Sequence, residues 1–217
     1  TFASTSNAAS YIDVDTDGTI DVKDDMMAAG TVDLHAGGKV QVEYVESTGS
    51  PVTITSDGSS IEEWPNTGDG NDTVPAGVDI KAATIDLNAA TGIGTAGALE
   101  IAGLTISADS TNGNIDVNSL SAATPGSRSA VTVTSLTTGN GNIVFDQTGG
   151  KTLSVDIAST TPAATASADG SISISNEITD LTVGTITAGP SHDALGNPDH
   201  RNNVTLTTTS SGGILLN

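Results

Sequence analysis

The chain has 217 residues and a formal net charge of −20, from 26 Asp and Glu against 6 Lys and Arg. That balance repels phosphate backbones and anionic lipid, so neither nucleic acid nor a membrane surface is expected as a partner. Aromatic residues are 2% of the chain and cysteine is absent, so any core is built from Val, Ile, Leu and Ala without disulfides.

From the amino-terminal end the first pattern is a run of apolar pairs: Ile12/Val14, Ile20/Val22, Val32/Leu34 and Val40/Val42. The first two pairs return twenty residues on as the last two. Within a pair the middle residue is polar (Asp13, Asp21, Asp33, Gln41), which is the period of a short strand with one face buried and one wet. A twenty-residue return of such strands predicts an all-β, right-handed parallel β-helix with about 20 residues per coil and several loop insertions. Residues 1–217 read as one elongated domain of roughly eleven coils, about 50 Å long at the usual strand spacing.

The segment Asp13 to Asp24 overlaps these first strands. Acids at its positions one, three, five, nine and twelve (Asp13, Asp15, Asp17, Asp21, Asp24), with Gly18 at six, match a calcium-binding EF-hand loop. The strands on either side compete with that reading, because such a loop needs a helix after it. Two alternatives follow: outward acids around an Asp-Gly turn, or a partial Ca2+ site around Asp15 and Asp17. His35 follows in the strand Val32 to His35 and faces solvent or a turn.

The first interruption, Ser47 to Ala76, holds the strand core Val52/Ile54, then Trp64 beside Glu62 and Glu63, then Gly68 to Val74. The last of these matches the core of a calcium-binding nonapeptide, with Asp69, Asn71 and Asp72 as oxygen donors. A single copy lacks the stacked partner with which such loops share their ions. Beyond it, strand cores are expected at Val78/Ile80, Ile85/Leu87, Leu99/Ile101, Leu104/Ile106, Ile115/Val117, Val131/Val133, Ile143/Phe145, Leu153/Val155, Ile172/Ile174, Leu181/Val183, Val204/Leu206 and Ile214/Leu216. Further interruptions fall at Ser121 to Ser129, Ala158 to Gly170 and Ala188 to Asn203, rich in Ser, Thr, Gly or Pro. In the last, His192-Asp193 and Asp199-His200 bracket a Gly/Pro loop in a spacing that fits no zinc pattern.

Asp13, Asp21, Asp33, Asp79, Asp86, Glu100 and Asp116 all take the middle slot of an apolar-x-apolar strand. If Asp13 and Asp33 stack one coil apart, their repulsion approaches about 1 kcal/mol in a water-like dielectric. Salt or divalent cations would then stabilise the rod. A glycan-processing enzyme would need a groove in which two or more carboxylates converge within about 10 Å. Almost no aromatic side chain is present to stack a sugar, and Arg128 and Arg201 lie in loops, so the expectation is no catalysis.

The stretch Val78 to Leu87, followed by Thr91-Gly92-Ile93-Gly94, Leu104 to Ala108 and Gly113-Asn114-Ile115-Asp116-Val117, resembles the repeats of filamentous-haemagglutinin-like large exoproteins. Gly141 to Phe145 and Asn203 to Thr208 are similar to the same repeats. The resemblance implies a right-handed parallel β-helix that serves as the shaft of a secreted or cell-surface adhesive fibre. The open ends of a solenoid without recognisable caps add the expectation of like subunits or flanking repeats end to end, and cell-surface or matrix glycans are the further candidate partner. No amino-terminal secretion region of that family is recognisable. The chain starts at Thr1 and ends in what reads as a strand, so a fragment or subunit of a longer fibre is expected.

Overall fold

The computed structural model describes residues 11–64, 77–123, 130–161, 170–189, 202–209 and 212–217. Eighteen strands run through them. The first six are β1 (Tyr11–Thr16), β2 (Ile20–Ala28), β3 (Thr31–Ala36), β4 (Val40–Ser47), β5 (Val52–Ser56) and β6 (Ile61–Glu63). Next come β7 (Ile80–Lys81), β8 (Thr84–Ala89), β9 (Leu99–Ala102), β10 (Thr105–Ser110), β11 (Ile115–Leu120) and β12 (Ala130–Thr138). The last are β13 (Ile143–Thr148), β14 (Thr152–Thr160), β15 (Ile172–Asn176), β16 (Leu181–Thr187), β17 (Val204–Thr208) and β18 (Ile214–Leu216).

Two parallel nine-stranded sheets result. The first has the order β1-β3-β5-β8-β10-β12-β14-β16-β18, and the second runs from β2 through β4, β7, β9, β11, β13 and β15 to β17, with β6 also paired to β4. The chain alternates between sheets and adds a neighbour to each on every turn, which is a solenoid. Parallel register puts like beside like. One inward row of the first sheet reads Ile12, Val32, Val52, Ile85, Ile106, Val133, Val155, Val183, Leu216, and the row beside it Val14, Leu34, Ile54, Leu87, Ala108, Leu136, Ala158, Ile186. Facing them, the second sheet contributes Ile20, Val40, Ile61, Ile93, Ile115, Ile143, Ile172 and Val204. Away from the two ends these side chains are buried. Branched aliphatics suit the site because their stiff χ1 packs well on a pleated surface.

The third inward row of the first sheet turns the corner and changes chemistry: Thr16, Ala36, Ser56, Ala89, Ser110, Thr138, Thr160. Small residues are needed where the chain bends, and their hydroxyls satisfy turn carbonyls. Ser56 Oγ donates to Gly38 O at 2.7 Å, Thr138 Oγ1 to Gly113 O at 2.7 Å and Thr160 Oγ1 to Gly170 O at 2.7 Å.

The Gly-Asn-Ile motif has a physical cause. Asn114 Oδ1 accepts from the backbone N–H of Asn142 at 2.9 Å, and Asn142 Oδ1 accepts from that of Ser171 at 2.9 Å, so each side chain caps the same position one rung along. Gly113 and Gly141 precede them at φ +90° and +145°. A Cβ on Gly113 would lie 2.0 Å from Thr91 O, and one on Gly141 would lie 2.3 Å from Gly113 O. Only glycine fits so close to the neighbouring rung.

Three sequence expectations need correction. Among the described residues nine strands per sheet, rather than eleven coils, make a column of about 40 Å. Insertions account for the difference, since the register step is 20 residues from Val32 to Val52 but 33 from Val52 to Ile85. The expected strand at Val78/Ile80 shrinks to Ile80–Lys81, and Val78 packs in a second small cluster with Tyr44 and Ala102. Asp79, read as an outward residue, is only 4% exposed.

Candidate functional site

The most concentrated polar chemistry sits where one rung is split. β4 pairs with β6 through Val40–Val42 and with β7 through Val45–Glu46, so two short strands share the work of one. Glu63 ends β6 and Asp79 immediately precedes β7 on the same partner strand, which brings Glu63 beside Asp79. Glu100, on β9 in the next rung, completes the group. Carboxylate oxygens of Glu63, Asp79 and Glu100 all lie within 4.8 Å of one another.

Carboxylates this close disfavour one another's ionisation. Burial pushes the Asp79 carboxyl up to about 9, with the charges of Glu63 and Glu100 adding to it, against a 2.8 Å hydrogen bond from the Glu100 backbone N–H. Asp79 is therefore protonated at neutral pH. Glu63 is also raised, by burial and then by Glu100. Asn118 Nδ2 donates to Glu100 Oε1 at 2.8 Å. The acidic band continues to Asp116, raised by burial, Asp146 and Glu100.

Flanking groups are paired conventionally. Burial pulls the Glu62 carboxyl upward, but Lys39, Thr95 and Ser60, each donating at 2.7 Å, outweigh it and hold it low. Tyr44 OH donates to Glu46 Oε2 at 2.7 Å, and Lys81 Nζ lies 3.0 Å from Glu46 Oε1. Lys23 Nζ sits 4.3 Å from the centroid of the Trp64 ring, which fixes Trp64 against the second sheet. Chemically the cluster can share protons or hold a hard cation through oxygen. Shallow grooves lie elsewhere: one is lined by Asp13, Asp15, Asp33, His35, Thr53 and Thr55, and a second by residues that include Asp57, Asn88 and Asp109.

The five acids of the first motif do not form one ring. Asp13 and Asp15 stand on the outer face of β1, Asp17 is in the following turn, and Asp21 and Asp24 belong to β2 in the other sheet. Strand pairing takes the backbone that an EF-hand loop would wrap around an ion. Asp13 does pair in register with Asp33 one rung away, and Asp15 with His35. Asp69, Asn71 and Asp72 lie outside the described residues, as do His192, Asp193, Asp199, His200, Arg128 and Arg201.

Sequence reasoning missed Glu46, Glu62 and Glu63, and took Asp79 and Glu100 as independent outward acids. One signal was available. Asp79 and Glu100 are 21 residues apart (100 minus 79), one coil, so they were bound to be neighbours.

No family model matches the chain, and neither a curated protein nor a solved structure matches it. Among the described residues no helix is long and apolar enough to cross a membrane.

Proposed function

We propose that the chain is a shaft segment of an extracellular or cell-surface fibre, a structural and adhesive element without catalysis, whose rungs continue end to end into further rungs of the same kind. The likeness to filamentous-haemagglutinin repeats supports this through residue pattern. The observation that carries it is the parallel, in-register stacking of like residues along both nine-stranded sheets, an architecture in which each rung pairs with the next in the same way and which further rungs of the same polypeptide, or a second subunit, would extend.

Electron microscopy and sedimentation of the purified chain test this. The wild type should form unbranched threads or a ladder of end-to-end species, and Leu216→Asp, which places a charge in the terminal apolar row, should shorten them. Uniform single rods at every concentration, unchanged by the substitution, would count against the shaft.

A second reading, a calcium-responsive binding or surface-layer module, is favoured by the convergence of Glu63, Asp79 and Glu100. Calcium takes roughly six to eight oxygen ligands and would replace the shared proton. On that reading calcium raises the thermal midpoint of the wild type, chelator reverses the rise, and Asp79→Asn abolishes it; an unchanged midpoint removes calcium from the structure.

A further inference from the structure

On the outer face of the first sheet, His35 stands in the middle of three stacked rungs. Its register partners are Asp15 on β1 and Thr55 on β5. His35 Nδ1 lies 3.4 Å from Asp15 Oδ1, and Nε2 lies 2.8 Å from Oδ2 of Asp57, the residue that follows β5. One imidazole thus reaches a carboxylate on each side, a rung above and a rung below.

The protonation state decides how well the ring does this. Neutral imidazole has one donor and one acceptor nitrogen, so one of the two carboxylates would face a lone pair; the imidazolium donates to Asp57 and attracts Asp15 through its charge. Among the described residues the surroundings supply no other cation. Asp13 and Asp15 face the ring from β1, Asp17 lies in the turn after β1, Asp33 is on β3 itself, and Asp57 follows β5. The described lysines lie elsewhere: Lys23 over Trp64, Lys39 on Glu62, Lys81 on Glu46 and Lys151 before β14. Meanwhile β1 is an outer strand, held in its sheet by β3 alone among the described strands.

We propose that His35 is a proton-operated clasp: doubly protonated, it ties the first three rungs together through Asp15 and Asp57, and on losing a proton it releases β1. The stacked pair Asp13 and Asp33 then repels without compensation, and the outer strand frays first. The hydrogen bond to Asp57 holds the imidazole above its usual range, opposed by desolvation and helped by the charges of Asp57, Asp15 and Asp33. Because the folded value lies above the unfolded one, the tie is complete below the ordinary histidine value of 6.5 and is lost as pH rises through the folded value. The clasp is independent of the shaft reading, since it concerns order within one chain.

Hydrogen exchange of the whole chain, read peptide by peptide at pH 5.5 and pH 8.5 and corrected for intrinsic rates, tests it. Protection of β1 relative to β12–β16 should fall about two- to fivefold at the higher pH in the wild type, the range of a partly exposed ion pair. In His35→Gln the ratio should not change with pH, and Asp57→Asn should reduce the change. An identical pH response in His35→Gln, or a flat response in the wild type, overturns the clasp. An imidazole titration by NMR, with the resonance identified by its loss in His35→Gln, should give a midpoint above 6.5; a midpoint at or below that value also overturns it.

Discussion

Phe145→Ala is expected to lower the unfolding free energy by about 3–5 kcal/mol, and Phe145→Leu by less than about 1.5 kcal/mol. Phe145 is fully buried on β13 and heads the largest buried side chains. Its register partners are Val117 on one side and Ile174 on the other, so one ring stands in a row of aliphatics. A cavity there cannot close easily. The rungs above and below are held at backbone hydrogen-bond spacing, and that spacing does not shrink when a side chain is removed. Solenoid stability is approximately a sum of rung and nearest-neighbour contributions, so the damage should be local and the transition broader. Urea unfolding followed by circular dichroism measures it; a loss below about 1 kcal/mol would mean that Phe145 does not sit inside the column.

Asp79→Asn is expected to act in the opposite direction and to depend on pH. The Asp79 carboxyl in the folded chain is raised from 3.8 to about 9, chiefly by burial. A group raised on folding contributes stability that is present at low pH and lost as pH rises through the folded value, at a slope of up to about 1.4 kcal/mol per pH unit. The wild type should therefore weaken between pH 5 and pH 9. Asparagine keeps the shape and still accepts the Glu100 N–H, but never carries the charge. At pH 9 the variant should be more stable than the wild type by about 2–4 kcal/mol, with the difference shrinking toward pH 5. Parallel stability curves for the two proteins would show that Asp79 is not a buried acid.

The column itself was legible because its cause is periodic. Val32-Asp33-Leu34 and Val52-Thr53-Ile54 announce strand, face and register together, since in a parallel solenoid the same spacing that buries two residues also stacks them. Coil number was not legible, because a register step of 33 residues across the first insertion contains the same residue types as a regular step. The acidic cluster was hidden for a related reason. Asp79 and Glu100 are register neighbours, but Glu63 joins them only because β6 and β7 share the partner strand β4, and nothing in its immediate neighbours marks that. The reverse happened at Asp13 to Asp24, where residue types at the right spacing imitate a calcium loop while the apolar pairs around them put the two halves in different sheets.

Because the chain has no cysteine, a single engineered pair can probe the stacking across the first insertion without competing thiols. Thr55 and Asn88 are register partners on β5 and β8, both on the outer face, although 33 residues separate them (88 minus 55). Adjacent strands lie about 4.8 Å apart, within the span a disulfide bridges, whereas strands two rungs apart exceed about 7 Å and cannot be joined. Mass spectrometry under non-reducing conditions should find an intramolecular disulfide in Thr55→Cys/Asn88→Cys and none in Thr55→Cys/Asp109→Cys, whose second position is one rung further along. Free thiols in the first variant, or equal bridging in both, would contradict the stacked parallel column on which the shaft depends.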